Sequence, residues 1–143
     1  MDMKRIAIGT VVGAIALHVV GYLMFDLATT DFYNANNAAA ATFARGINLQ
    51  WAIALGNLAL GALLALCIAG RTSTIAGGVV TGAVVGFLTW FGVDFTLYGY
   101  ETRWNLMLTI VDPLLAAVQF AVAGAVIAAV LARVPKGTAI RPA

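Results

Sequence analysis

Residues 86–113, GFLTWFGVDFTLYGYETRWNLMLTIVDP, set Asp94 and Asp112, Trp90 and Trp104, and Tyr98 and Tyr100 around one polar turn between two apolar segments. An apolar run, a short polar turn and a second apolar run is the pattern of two membrane helices joined outside the bilayer. The rest of the chain repeats it. Residues 6–25, 46–70, 72–93 and 113–132 contain no Asp, Glu, Lys or Arg. Each run reaches the roughly 20 residues that a spanning helix needs.

Composition agrees. Of 143 residues, 62% are apolar and 10% charged, against about 45–50% and about 25% in soluble domains. The expected fold is all-α, an integral membrane four-helix bundle in a single domain, with helices at about 6–28, 48–69, 73–98 and 106–133. Lys4 and Arg5 ahead of an apolar run also resemble a signal peptide, but the run exceeds the usual core of about 7–15 residues. A retained first helix is expected.

With alternating helices, Lys4, Arg5, Arg71, Arg133, Lys136 and Arg141 fall at one end, and Arg45 and Arg103 at the other. The basic excess predicts cytoplasmic termini and a multi-pass protein of a bacterial inner membrane. The net charge of +2 is then a topological signal and not a sign of nucleic-acid binding. Asp26, Asp31, Asp94, Glu101 and Asp112 lie at the opposite, outer end with all three tryptophans.

In the first helix His18, Tyr22 and Asp26 step by four and lie within about 80° of one another. The loop that follows, TTDFYNANNAAAATFARG, predicts a short surface helix capped by Asn36 or Asn37 and ending at Gly46, with Phe32, Tyr33 and Phe43 in the interface. In the second helix Gln50 and Asn57 share a face, as amides that bond across helices do. The tight turn at residues 70–73 predicts that the second and third helices are antiparallel neighbours.

Gly9 and Gly13, and Gly78, Gly82 and Gly86, recur every four residues, which lets a neighbouring backbone approach closely. The neighbour is a helix of this chain, a second copy or a partner protein. Each step of four drifts by about 40°, so Asp94 lies roughly 160° around from Gly78 and faces a different neighbour. Asp112-Pro113 is the pattern of an N-cap with proline at the first helical position. The alternative is a longer helix kinked at Pro113.

A core about 30 Å thick, crossed at about 1.5 Å per residue, brings Asp26 and Asp94 to the same outer boundary. Asp112 descends to meet them from the fourth helix. Asp94, Asp112, Asp26, Tyr98, Trp90, Tyr22 and Gln50 are therefore candidates to line an outward pocket for a lipid headgroup or a small molecule. In such a pocket, burial and like charge push at least one carboxyl group towards its neutral form. The competing structural account has Asp112 as a cap, Asp26 and Asp94 paired with Arg45 and Arg103, and the tryptophans as an interfacial belt.

Cys67 is the single cysteine and His18 the single histidine, which removes an intrachain disulfide, a thiolate cluster and a bis-histidine haem. His18 is expected to bond Asn57 or Gln119, with a singly ligated pigment or haem as the minority alternative. No metal site is assigned and no cofactor is indicated. Walker, dinucleotide-glycine, HExxH, GxSxG and CxxC motifs are absent.

Asp94-Phe95-Thr96, Trp104 and Leu108-Thr109-Ile110-Val111-Asp112 resemble, in order and spacing, a family of small four-helix bacterial membrane proteins of unknown function. Asp26 followed by Phe32 and Tyr33 is similar to its first-helix pattern. The chain departs from that pattern at Leu97, where Asn is usual, and at Pro113-Leu114, where Trp-Gly is usual. The resemblance implies that Asp94 and Asp112 belong to one recurring arrangement, and it implies no activity.

Three functions stay open. The first is a non-enzymatic membrane protein with an outward acidic and aromatic pocket, with membrane lipids among its partners. The second is an accessory subunit or homodimer packing through the glycine faces. The third is an enzyme acting on lipid or isoprenoid, with the carboxyls as acid and base or as Mg²⁺ ligands.

Overall fold

The computed structural model describes residues 2–37, 44–70 and 74–135. Its elements are α1 (Met3–Gly21), a π-helical continuation (Tyr22–Ala28), α2 (Thr30–Asn36), α3 (Gln50–Ala69), α4 (Ile75–Tyr100) and α5 (Leu106–Leu131). Four helices are long and apolar enough to cross a membrane: α1 with its continuation, α3, α4 and α5. This is the mark of a multi-pass membrane protein. Among the described residues there is no strand.

Local chemistry starts three of the helices. The side chain of Asp2 accepts from Arg5 N–H, that of Thr74 from Gly77 N–H and that of Asn105 from Leu108 N–H. Each satisfies one of the orphan donors of a first turn. The Asn105 bond, 2.8 Å long, starts the last helix, so of the two alternatives the longer helix through Pro113 stands and Asp112 is not its cap. The helix runs unbroken from Leu106 through Pro113 to Leu131, because Asn105 starts it two turns earlier and frees the Asp112 side chain.

Packing follows the small residues. α4 lies along α5, where a Cβ on Gly78 would meet the Gly124 carbonyl and one on Gly82 the Phe120 carbonyl. α1 lies on α3, where a Cβ on Gly61 would come within 2.6 Å of Thr10 O. Gly13 faces Ile127 of α5 and Gly61 of α3. Leu17, Leu64, Ile68, Phe120, Ala123, Ile127 and Leu131 form the core. Large apolar side chains such as Val11, Ile15, Leu55, Leu88 and Val118 point outwards, as expected of helices whose surroundings are hydrocarbon.

The helices on either side of residues 70–73, α3 and α4, are not the close neighbours expected. α3 and α4 meet only marginally, and each prefers a partner with which it shares a small-residue seam. Residues 50–56 of α3 are all exposed, whereas Gly61, Leu64, Ala65 and Ile68 are buried. α3 is therefore packed towards the end of the bundle that carries Met3 and Leu131 and exposed towards the other.

Two further differences concern the loops. A helix that the sequence did not suggest lies at Thr30–Asn36, whereas the expected surface helix, capped at Asn36 or Asn37 and ending at Gly46, falls largely on residues 38–43, which with Phe43 are outside the described set. So are Arg71, Lys136 and Arg141.

Arg5 closes the inner end. It is buried, and its Nη1 donates to Leu131 O at 2.8 Å and Val134 O at 2.5 Å. A guanidinium on the last carbonyls of α5 satisfies acceptors that the helix leaves open and complements its dipole. Arg5→Ala is expected to lower stability by about 1.5–3 kcal/mol, the usual worth of a hydrogen bond to a charged group. Unfolding of the detergent-solubilised protein in rising SDS measures this.

Candidate functional site

The site begins where α1 changes winding. From Tyr22 to Ala28 the backbone is π-helical, and Thr29 N–H and its hydroxyl both bond Met24 O, at 2.9 and 2.8 Å. The wider turn ends the helix, and α2 folds back over the outer end of α5. Two attachments hold it there. Asn105 Nδ2 donates to Asn36 O at 2.8 Å, and the Tyr33 hydroxyl donates to Asp112 Oδ1. Phe25 and Phe32 meet the Tyr33 ring edge to face at 5.7 and 5.5 Å.

Asp112 thus joins α2 to the interior. Behind it lies Asp94 of α4, whose side chain is fully buried and whose two oxygens have no hydrogen-bond donor. The ionisable neighbour acting on Asp94 is the Asp112 carboxyl. Arg103 pairs with Glu101 instead, and Asp26 makes no ion pair among the described residues. The indole N–H groups of Trp90 and Trp104 are buried without an acceptor. Asp94 and two indoles thus lie near Asp112 with hydrogen-bonding capacity unused, the reverse of the usual state of buried polar groups.

In front of this cluster, walled mainly by α1 with its continuation and by α3, is a pocket of about 430 Å³. Asp112, Asp26, Tyr22, Trp90 and Gln50, all expected there, line it. Two expected residues do not. Asp94 supports Asp112 from behind and is not a lining residue, while Tyr98 borders a separate hollow with Tyr100 and Glu101. Trp104, His18, Asn48, Asn57 and Gln119 also line the pocket.

The amides there are fixed by the backbone and by His18. Gln119 Nε2 donates to Leu17 O at 2.8 Å, an approach allowed by Gly21, where a Cβ would lie 2.6 Å from that nitrogen. Asn57 Nδ2 lies 3.3 Å from His18 Nδ1, one of the two partners expected for His18. Among the described residues no Lys or Arg lines the pocket. Its charge is carboxylate and its walls are aromatic, which suits a cation or a group rich in donors. Among the described residues no three His, Cys, Asp or Glu are grouped to hold a metal.

Tyr33 is the contact that sequence reasoning missed. Its Phe-Tyr setting suggests an interfacial anchor, and nothing in the spacing from Asp26 announces a π-helical turn that returns it to Asp112. Burial pushes its phenol well above the ordinary 10.0, and the hydrogen bond to Asp112 and the charges of Asp112 and Asp94 act in the same direction. A raised folded value means that the contribution is whole below pH 10.0 and is lost as pH rises beyond it. In SDS unfolding at a series of pH values, Tyr33→Phe should therefore lose less stability than the wild type as pH rises through that value.

No protein-family model matches the chain, and no curated protein or solved structure is similar enough to match it. The resemblance over residues 86–112 therefore rests on the residues that carry it.

Proposed function

We propose that this chain is a non-enzymatic protein of a bacterial cytoplasmic membrane, with both termini cytoplasmic, and that its outward pocket binds a lipid headgroup or small molecule bearing a cationic amine. The observation that carries this reading is the pocket itself, with Asp112 presented by Tyr33, aromatic walls and no Lys or Arg among its described lining residues. The placement of Lys4, Arg5 and Arg133 at the other end supports the orientation. Asp112 is the primary contact, with Asp26, Trp90 and Tyr22 beside it, and Asp94 is the support that positions Asp112.

Native mass spectrometry of the protein extracted from its own membrane in mild detergent tests this. One bound molecule of defined mass per chain is expected, with occupancy falling about tenfold or more in Asp112→Asn, since loss of one buried charged partner costs about 2–5 kcal/mol. Trp90→Phe should weaken it less. Equal occupancy in wild type and D112N would end the reading.

The alternative of an accessory subunit docking through its glycines has less support. Gly9, Gly13, Gly78, Gly82 and Gly86 are all buried against other helices of the chain.

A further inference from the structure

His18, Gln50 and Asn57 belong to two cavities at once. One is the acid-lined pocket. The other is a hollow of about 390 Å³ along the seam of α1 and α3, whose remaining walls are Val11, Ala14, Ile15, Val19, Ala54 and Leu58. Every polar group of this hollow comes from the three shared residues. Val11, Ile15, Val19 and Leu58 are at least 40% exposed, so the hollow opens on the face that hydrocarbon covers. Its length from Val11 to Val19 is about 12 Å at the α-helical rise.

The shape has a cause in the sequence. Gly61 brings α3 against the backbone of Thr10 and Ala14, which shuts the seam at its inner end. Outward from there α3 loses contact and residues 50–56 are exposed, so the seam widens into a wedge. At the junction stands the His18–Asn57 contact of 3.3 Å. A polar pocket and an apolar groove thus meet at a polar threshold within a membrane-spanning region.

We infer that the two cavities are the halves of one amphiphile site, in which a single hydrocarbon chain lies in the α1–α3 groove and its cationic head passes the His18–Asn57 threshold into the Asp112 pocket. This rests on the proposed pocket and adds the class of its ligand. The occupant comes from the membrane: the groove faces lipid, its inner end is closed, and a molecule already in the bilayer reaches the pocket sideways with its chain still among apolar groups. Asp26 and Asp112 supply the charge complement, and the rings of Tyr22, Trp90 and Trp104 the faces that favour alkylammonium.

The test compares two probes with the same head on the detergent-solubilised full chain, by native mass spectrometry: tetramethylammonium, and dodecyltrimethylammonium below its micellar concentration. The chain-bearing probe should bind with one-to-one stoichiometry and at least about tenfold more tightly, because burying methylenes adds to the head interaction. Ala54→Trp, with Leu58→Phe as the milder variant, should remove that advantage and leave tetramethylammonium binding intact, which also reports that the variant is folded. Asp112→Asn should weaken both probes.

An advantage that survives in both groove variants would be nonspecific partitioning and would overturn the amphiphile site. The pocket reading would still stand if D112N weakened both probes. Binding of tetramethylammonium alone would overturn only the amphiphile site, whereas failure of both probes to bind, or binding indifferent to D112N, would overturn both.

Discussion

Gly82→Leu is expected to cost more than about 3 kcal/mol and to separate α4 from α5, because overpacking against an unyielding backbone belongs to the severe class of substitutions. A Cβ at residue 82 would fall on the Phe120 carbonyl, within 2.7 Å of its carbon and 3.1 Å of Ala121 Cα. None of these is a side-chain tip that can swing aside. Gly86 is similarly enclosed, with Phe120 Cβ at 2.6 Å and Ala116 O at 2.7 Å, so the helices cannot hinge apart locally. Between hydrocarbon-solvated helices such close contact is itself the main adhesive, since lipid removes the hydrophobic drive.

The loss should reach the site as well. Asp94 lies eight residues beyond Gly86 on the same helix, about 12 Å along its axis, and a displaced α4 withdraws it from Asp112. Gly92→Ala is the contrast. Nothing lies within 4 Å of a Cβ there, and removing a helix-interior glycine should stabilise by about 0.5–1 kcal/mol. SDS titration of the two variants beside wild type should give shifts of opposite sign. Equal shifts would mean that the α4–α5 seam is not what holds the bundle.

The four spans were legible because a charge-free run of about 20 residues matches the length that a helix needs to cross hydrocarbon, and four such runs leave little chain for anything else. Helix pairing was not legible. The short link at residues 70–73 suggested that α3 and α4 lie together, yet a link constrains only the ends it joins, and the small-residue seams of Gly61 with Ala14 and Gly82 with Phe120 decide the rest. Asp112-Pro113 reads locally as a helix start. Asn105, seven residues earlier, is an equally good cap and takes the role, because a helix interrupted at Pro113 would have left Leu106–Val111 irregular within apolar surroundings.

The candidate site divides along the same line. Positions read from helical steps and membrane depth, such as Tyr22, Asp26, Trp90 and Asp112, do line one pocket. Tyr98 stands about two turns beyond Trp90 on α4, where it is exposed and borders a separate hollow. Tyr33 reaches the pocket wall only through the π-helical turn, a tertiary feature with no proline or glycine pair to announce it.

Asp94→Asn should raise the stability of the ligand-free protein by about 1–3 kcal/mol, the desolvation cost of an unmet buried polar group. The carboxyl is fully buried, its oxygens have no donor, and its ionisable neighbour is a second carboxyl. Asparagine fills the same space and brings two N–H donors, one of which can turn to Asp112. Asp112→Ala should act in the opposite sense by a similar amount, since it strips the Tyr33 hydroxyl of its acceptor and removes one of the two attachments of α2. The pair of signs separates two meanings of the same cluster. A carboxyl kept only for the fold would be irreplaceable in the empty protein, and its loss would destabilise. A carboxyl kept for an amine is a liability until the amine arrives. The stabilising effect of D94N should then shrink or reverse when unfolding is repeated with saturating alkylammonium, because the wild type alone gains the full charge complement from the ligand. A destabilised, ligand-free D94N protein would instead assign Asp94 to the scaffold and leave Asp112 and Asp26 to bind unaided.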